Sequence, residues 1–139
     1  HLTRRGAKVL GTCSSPESLT HIESLSETIK QIYQGFSDEA PRVTGVAADI
    51  HSTDAPKYIT DAIDRHFGGR VHIVINNAAY FENRDLGTLD DSYVHKMLFA
   101  NVHYLIMLMN NLLAGGLIQQ NSRIINISSA STRTDLPTP

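Results

Sequence analysis

Four short stretches place polar side chains directly after runs of aliphatic residues: Cys13-Ser14-Ser15, Asp49-Ile50, Asn76-Asn77-Ala78-Ala79 and Ser128-Ser129. The chemistry open to them is hydrogen-bond chemistry. A serine hydroxyl can donate to a carbonyl oxygen, a carboxylate accepts from hydroxyl or amino groups, and asparagine amides do both. A fifth polar group, Asn101, sits inside the otherwise apolar run from Met97 to Leu113. Buried there, an amide must find partners or impose about 1–3 kcal/mol of desolvation, so a helix kink and a chemical role explain it almost equally well. Metal chemistry has little support. His21, His51, His66, His72, His95 and His103 contain no helical i, i+4 pair, His1 is terminal, and Cys13 has no second cysteine to join it as a ligand.

The elements that must carry these stretches can be read from periodicity. Val9 to Thr12 is β-prone, and Ser15-Pro16 offers a cap with proline at the first position of a helix. Leu19, Ile22, Leu25, Ile29 and Ile32 then recur at spacings of three and four, and Gly35 is a natural stop. Val43 to Ala48 predicts a second strand, and Tyr58, Ile59, Ala62, Ile63 and Phe67 a second helix ended by Gly68-Gly69. Val71 to Ile75 reads as a strand buried on both faces. Thr88-Leu-Asp-Asp91 resembles a capping box opening a long helix to about Leu113, and Arg123 to Ser128 predicts the last strand. Strands alternating with helices through short connections predict an α/β fold: a parallel sheet with right-handed crossovers, helices on both faces, in a single domain over residues 1–139. In such sheets ligands bind beyond the carboxyl ends of the strands, which is where the four polar stretches fall.

Composition narrows the function. The chain has 139 residues, 41% hydrophobic and 19% charged, which suits one globular core. A net charge of −2 with no basic block leaves no electrostatic footprint for nucleic acid. The Met97 to Leu113 run, broken by Asn101, His103, Asn110 and Asn111, is short for a bilayer span and predicts a buried helix, so no membrane partner is expected. With one cysteine and no apolar leader, a reducing cytoplasm is the expected compartment.

Val74-Ile75-Asn76-Asn77-Ala78-Ala79 is similar to the Asn-Asn-Ala-Gly signature of the short-chain dehydrogenase/reductase family, and the other stretches fall into register with it. Ala48-Asp49-Ile50 resembles the acidic-aliphatic pair that the family places against adenine. Asn101 matches the asparagine of its catalytic tetrad, and Arg123-Ile124-Ile125-Asn126-Ile127-Ser128-Ser129 resembles the strand leading to its catalytic serine, Ser129 by this alignment. The resemblance implies a doubly wound, Rossmann-like sheet and a carbonyl–alcohol oxidoreductase using a nicotinamide cofactor. It assigns Ser129 and Asn101 to catalysis, and Ser14, Asp49, Ile50, Asn76, Asn77 and Ala78 to the cofactor. The resemblance also implies a small-molecule substrate, a carbonyl or alcohol. The apolar Tyr104–Leu113 face implies a homodimer or tetramer.

Departures from the family fall at the ends. Neither its glycine-rich phosphate loop nor its Tyr-x-x-x-Lys pair occurs in these residues, and Ala79 replaces a glycine. The expectation is therefore an incomplete domain whose sheet lacks the strand that should lie between those at Val9 and Val71. No carboxylate stands at Cys13-Ser14-Ser15 to bind ribose hydroxyls, with Glu17 slightly too far along, and Arg4 or Arg5 is expected nearby. That favours NADP, with NAD as the alternative. The rival function is an inactive dinucleotide-binding relative serving as a sensor or scaffold.

Overall fold

The computed structural model describes residues 1–35 and 40–129, apart from the Arg4 side chain. β1 (Val9–Cys13) and β2 (Val43–Ala47) run parallel, Val9 opposite Val43 and Cys13 opposite Ala47. β3 (Val71–Asn76) and β4 (Ile118–Asn126) form a second parallel pair. Among the described residues no hydrogen-bonded rung joins the two pairs. This is the pattern expected of a doubly wound sheet without its central strand.

The helices are α1 (Leu19–Ile32), α2 (Ala55–Phe67), α3 (Asp91–Leu98) and α4 (Tyr104–Ala114), the last two joined by a single π-helical stretch at Phe99–His103. One core spans the gap between the sheets. Ala55, Ile59 and Ile63 of α2 meet Tyr104, Leu108 and Leu112 of α4, and Leu10, Val46, Val71, Val74 and Ile118 from all four strands pack against them. α1 covers the other face of β1–β2. Its close approach is eased by glycine, since a Cβ at Gly45 would lie 2.9 Å from Leu19 Cδ2 and 3.0 Å from Ile22 Cδ1 and those side chains would have to shift.

Several boundaries differ from the sequence expectation, each for a local reason. α1 begins at Leu19, because Ser15-Pro16-Glu17 first closes a turn in which Ser18 and Leu19 donate to the carbonyls of Ser15 and Pro16. The cap of α3 is Asp90, whose carboxylate accepts from Tyr93 N–H at 2.7 Å; Thr88 instead donates to the Asp85 carbonyl. β4 begins at Ile118 and ends at Asn126, so Ser128 lies past the strand. β3 is not covered on both faces: Ile73 is 52% exposed and Ile75 44%, because α2 and α4 occupy one side only.

From Asp91 to Ala114 the chain is helical for 24 residues, long and apolar enough by those measures to cross a bilayer, and longer than the apolar run alone suggests. Its buried stripe of Tyr104, Leu108 and Leu112 seats it on α2 as a core helix.

Candidate functional site

Parallel pairing brings the carboxyl ends of β1 and β2 together, and likewise those of β3 and β4. After β1, the Cys13 thiol donates to the Ser15 carbonyl at 3.3 Å, and the Ser15 hydroxyl pairs with that of Ser18 at 3.2 Å, which leaves Ser14 exposed at the turn. The Glu17 carboxylate is held below the ordinary range by its own backbone N–H and by the Ser15 hydroxyl. Arg5 is not nearby: it lies in the Thr3–Arg5 turn before β1, at the opposite end of a strand about 16 Å long.

After β2, the chain is tied back to β1 by Ala48 N–H donating to the Cys13 carbonyl at 2.7 Å. Asp49 is exposed and accepts from His51 N–H at 3.0 Å, while Ile50 is half-buried against the core. A carboxylate and an aliphatic side chain thus sit side by side at the sheet edge.

After β3, Asn76 is bound twice. Its amide donates to Asn126 Oδ1 at 2.8 Å, and its carbonyl accepts from Ile127 N–H at 3.0 Å. Asn77, Ala78 and Ala79 are exposed. The next residue, Tyr80, is clamped by Asn101: Tyr80 N–H donates to Asn101 Oδ1 at 2.9 Å and Asn101 Nδ2 donates to the Tyr80 carbonyl at 2.8 Å. Asn101 occupies the middle of the π-helical stretch, whose wider turn carries the amide out of the apolar helix to the loop. The π-helical stretch interrupts the α-helix at this point, and the amide is used on the segment that follows Asn76–Ala79. After β4, Ser128 and Ser129 are both exposed.

Sequence reasoning missed the groups that brace this region. The Tyr80 hydroxyl donates to Glu82 at 2.7 Å, and Arg84 bridges Glu82 at 2.8 Å and Asp90 at 2.9 Å while covering the Tyr93 ring. The Tyr80 phenol is pushed up chiefly by that bond, whereas Glu82 is held low by the Tyr80 hydroxyl and then Arg84. A cleft of roughly 670 Å³ opens between the loop after β2 and helix α3, lined by His51, Ser52, Thr53, Tyr80, His95, Lys96 and Phe99. In it the His51 ring stands edge-on to Tyr80 with centroids 4.8 Å apart. No local spacing joins residues 51, 80 and 99, so only folding reveals the cleft.

The family model described as short chain dehydrogenase matches residues 2–138. A dehydrogenase of Cochliobolus heterostrophus, OXI1, is 28% identical over 124 residues, 89% of this chain and 50% of its own length. The uncharacterized oxidoreductase YvrD of Bacillus subtilis is 27% identical over 84% of this chain and 41% of its own. The chain thus spans about half or less of the length of these curated relatives. Among solved structures, a short-chain dehydrogenase/reductase from Serratia marcescens superposes with a TM-score of 0.79 at 21% identity, over 99% of this chain and 51% of the other. A short chain dehydrogenase from Burkholderia cenocepacia in complex with NADP gives 0.76 at 22%, over 95% and 49%. A likeness at such identity shows the fold alone; the family-model match across nearly every residue shows more, and the chain belongs to the short-chain dehydrogenase family.

Proposed function

We propose that the protein containing these residues is an NAD(P)-dependent oxidoreductase that interconverts a carbonyl and an alcohol, with residues 1–139 forming part of one dinucleotide-binding domain. The observation that carries the reading is the two-way clamp between Asn101 and Tyr80. It ties the helical asparagine to the residue directly after the Asn-Asn-Ala-Ala segment, 21 positions away in the chain, and so brings the two motifs into one arrangement. A chance match of either motif gives no reason for them to meet.

The donor set fits a dinucleotide. Asp49 offers an acceptor and Ile50 an apolar face suited to adenine, Asn76, Asn77 and Ala78 form a wall, and the exposed Ser14 stands where ribose hydroxyls or a 2′-phosphate would bind. When bound, the nicotinamide supplies or accepts a hydride. The Ser129 hydroxyl would hydrogen-bond the substrate carbonyl oxygen and stabilise the negative charge that develops there until a proton from a general acid or water completes the alcohol. Asn101, with its carbonyl oxygen and amide nitrogen both engaged at Tyr80, holds the wall in place.

We take NADP as the preferred cofactor. Cys13-Ser14-Ser15, directly after β1, holds no carboxylate to take the ribose hydroxyls. The Burkholderia relative holds NADP and a metagenomic blue fluorescent protein of the same fold holds NADPH. The protein is read as cytoplasmic and homo-oligomeric, with Leu98, Val102, Ile106 and Leu113 exposed along the long helix as the surface for a second copy. The deciding experiment is steady-state turnover of the full-length protein against a panel of ketones and alcohols, followed by absorbance of the reduced nicotinamide. Turnover with tighter binding of NADPH than NADH is the expected result. Binding without turnover supports the sensor or scaffold reading, and preference for NADH overturns the cofactor choice.

A further inference from the structure

Lys8 stands directly before β1, Arg42 directly before β2 and Arg70 directly before β3. Helical crossovers return the strands in one direction, so these three entries share one edge of the sheet, opposite the edge that carries Asp49, Asn77 and Ser129. α1 and α2 run back toward the same edge, and Lys30 and Arg65 in their last turns join it, as does Arg5 in the turn before β1. All these cations are exposed, and apart from Lys30, which pairs with Glu27, none has an ion-pair partner among the described residues. The carboxylates on this edge are Glu27 and Asp64. Counting Asp38 and Glu39 against it as well, although they lie outside the described residues, leaves an excess of positive charge.

The net charge of −2 hides this excess because it averages over the whole chain. Glu17 and Asp49 stand beyond the far ends of the strands. The five residues of β1 span about 16 Å, roughly twice the Debye length of about 8 Å at physiological salt, so those acids do not cancel the field in front of the cations. The cations are spread across the width of the sheet, about 4.8 Å per strand, and are not gathered in a groove that would seat a peptide. Between α1, β2 and α2 a recess of roughly 430 Å³ is lined by Lys30, Arg42, His66 and Ser26, a donor set for a phosphate head group. At the rim Ile32 is 57% exposed and Leu2 44%, apolar contacts suited to the boundary between head groups and acyl chains. We propose that the amino edge of the sheet docks on an anionic phospholipid bilayer, with the carboxyl edge turned to water. Docking of this kind needs no spanning segment, and it stands apart from the proposed oxidoreductase function.

The test is co-sedimentation of the full-length protein with vesicles of phosphatidylcholine containing about 30% phosphatidylserine, against vesicles of phosphatidylcholine alone. Binding to the anionic vesicles is expected, with release at about 1 M salt, where the Debye length falls to about 3 Å. A cation at an anionic surface contributes about fivefold to binding, so Lys8→Gln/Arg42→Gln/Arg70→Gln is expected to weaken partitioning roughly a hundredfold and each single change about fivefold. The pair Lys57→Gln/Lys96→Gln removes cations from elsewhere and is expected to weaken it less than about threefold. The single variants keep the test decisive if the triple variant fails to fold. Equal binding to both kinds of vesicle, binding to neither, or as large a loss in the control pair as in the triple variant overturns the proposal. Capture of a polyglutamate peptide without binding to anionic vesicles would assign the edge to an acidic protein and likewise overturns it.

Discussion

At the scale of single residues, the serine pair carries the sharpest expectation. Ser129 is the family-aligned position, and a donor aimed at a developing oxyanion is typically worth about 2.7–4 kcal/mol. Ser129→Ala in the full-length enzyme is expected to lower kcat by roughly two to three orders of magnitude with cofactor affinity nearly intact, while Ser128→Ala is mild. Kinetics and cofactor titration of the two variants check this; a crippled Ser128→Ala would mean that the alignment is off by one. Strand alternation cannot make the choice, because β4 ends at Asn126, before either serine. The assignment therefore rests on the family alignment.

At the scale of elements, the entry into α3 is set by charge. The Asp90 carboxylate is held low first by Tyr93 N–H and then by Arg84. A carboxyl with a depressed pKa stabilises the fold above its unfolded value, and that contribution is lost as pH falls through the lowered folded value, here below about pH 4. The Tyr93 amide resonance is expected to move in that window in the parent and to be already shifted in Asp90→Ala at neutral pH; Thr88→Ala should leave it unchanged. The capping box was half legible. A capping-type signal stood at residues 88–91, but which side chain caps depends on how the preceding loop is braced, and Arg84 does that bracing from outside the motif. Under α1, glycine at 45 permits close packing. Gly45→Val is expected to destabilise the full-length protein by about 1–3 kcal/mol in urea unfolding. Gly11→Ala is expected to be milder, because its nearest contact, Ile22 Cδ1, stands back at 3.3 Å.

At the scale of the molecule, two half-sheets share one core through α2 and α4, and among the described residues each strand has a single hydrogen-bonded neighbour. A row of peptide groups on each strand is then left to water, and Ile73, Ile75 and Ile125 remain nearly half exposed or more. Residues 1–139 expressed alone are expected to lack a cooperative melt and to show weak near-ultraviolet dichroism. A sharp transition from a soluble monomer would show that the helices alone can hold the two pairs.

The sequence by itself determined the element order, the parallel α/β class and the family. These depend on local periodicity and on motifs that are contiguous in the chain: Val74 to Ala79 shows a strand running into a polar turn without reference to any other segment. Folding decided what depends on distance. That Asn101 spends its amide on Tyr80, and that His51, Tyr80 and Phe99 share a cleft, both join residues from different elements. The Asn76–Asn126 contact likewise exists only once the strands are side by side.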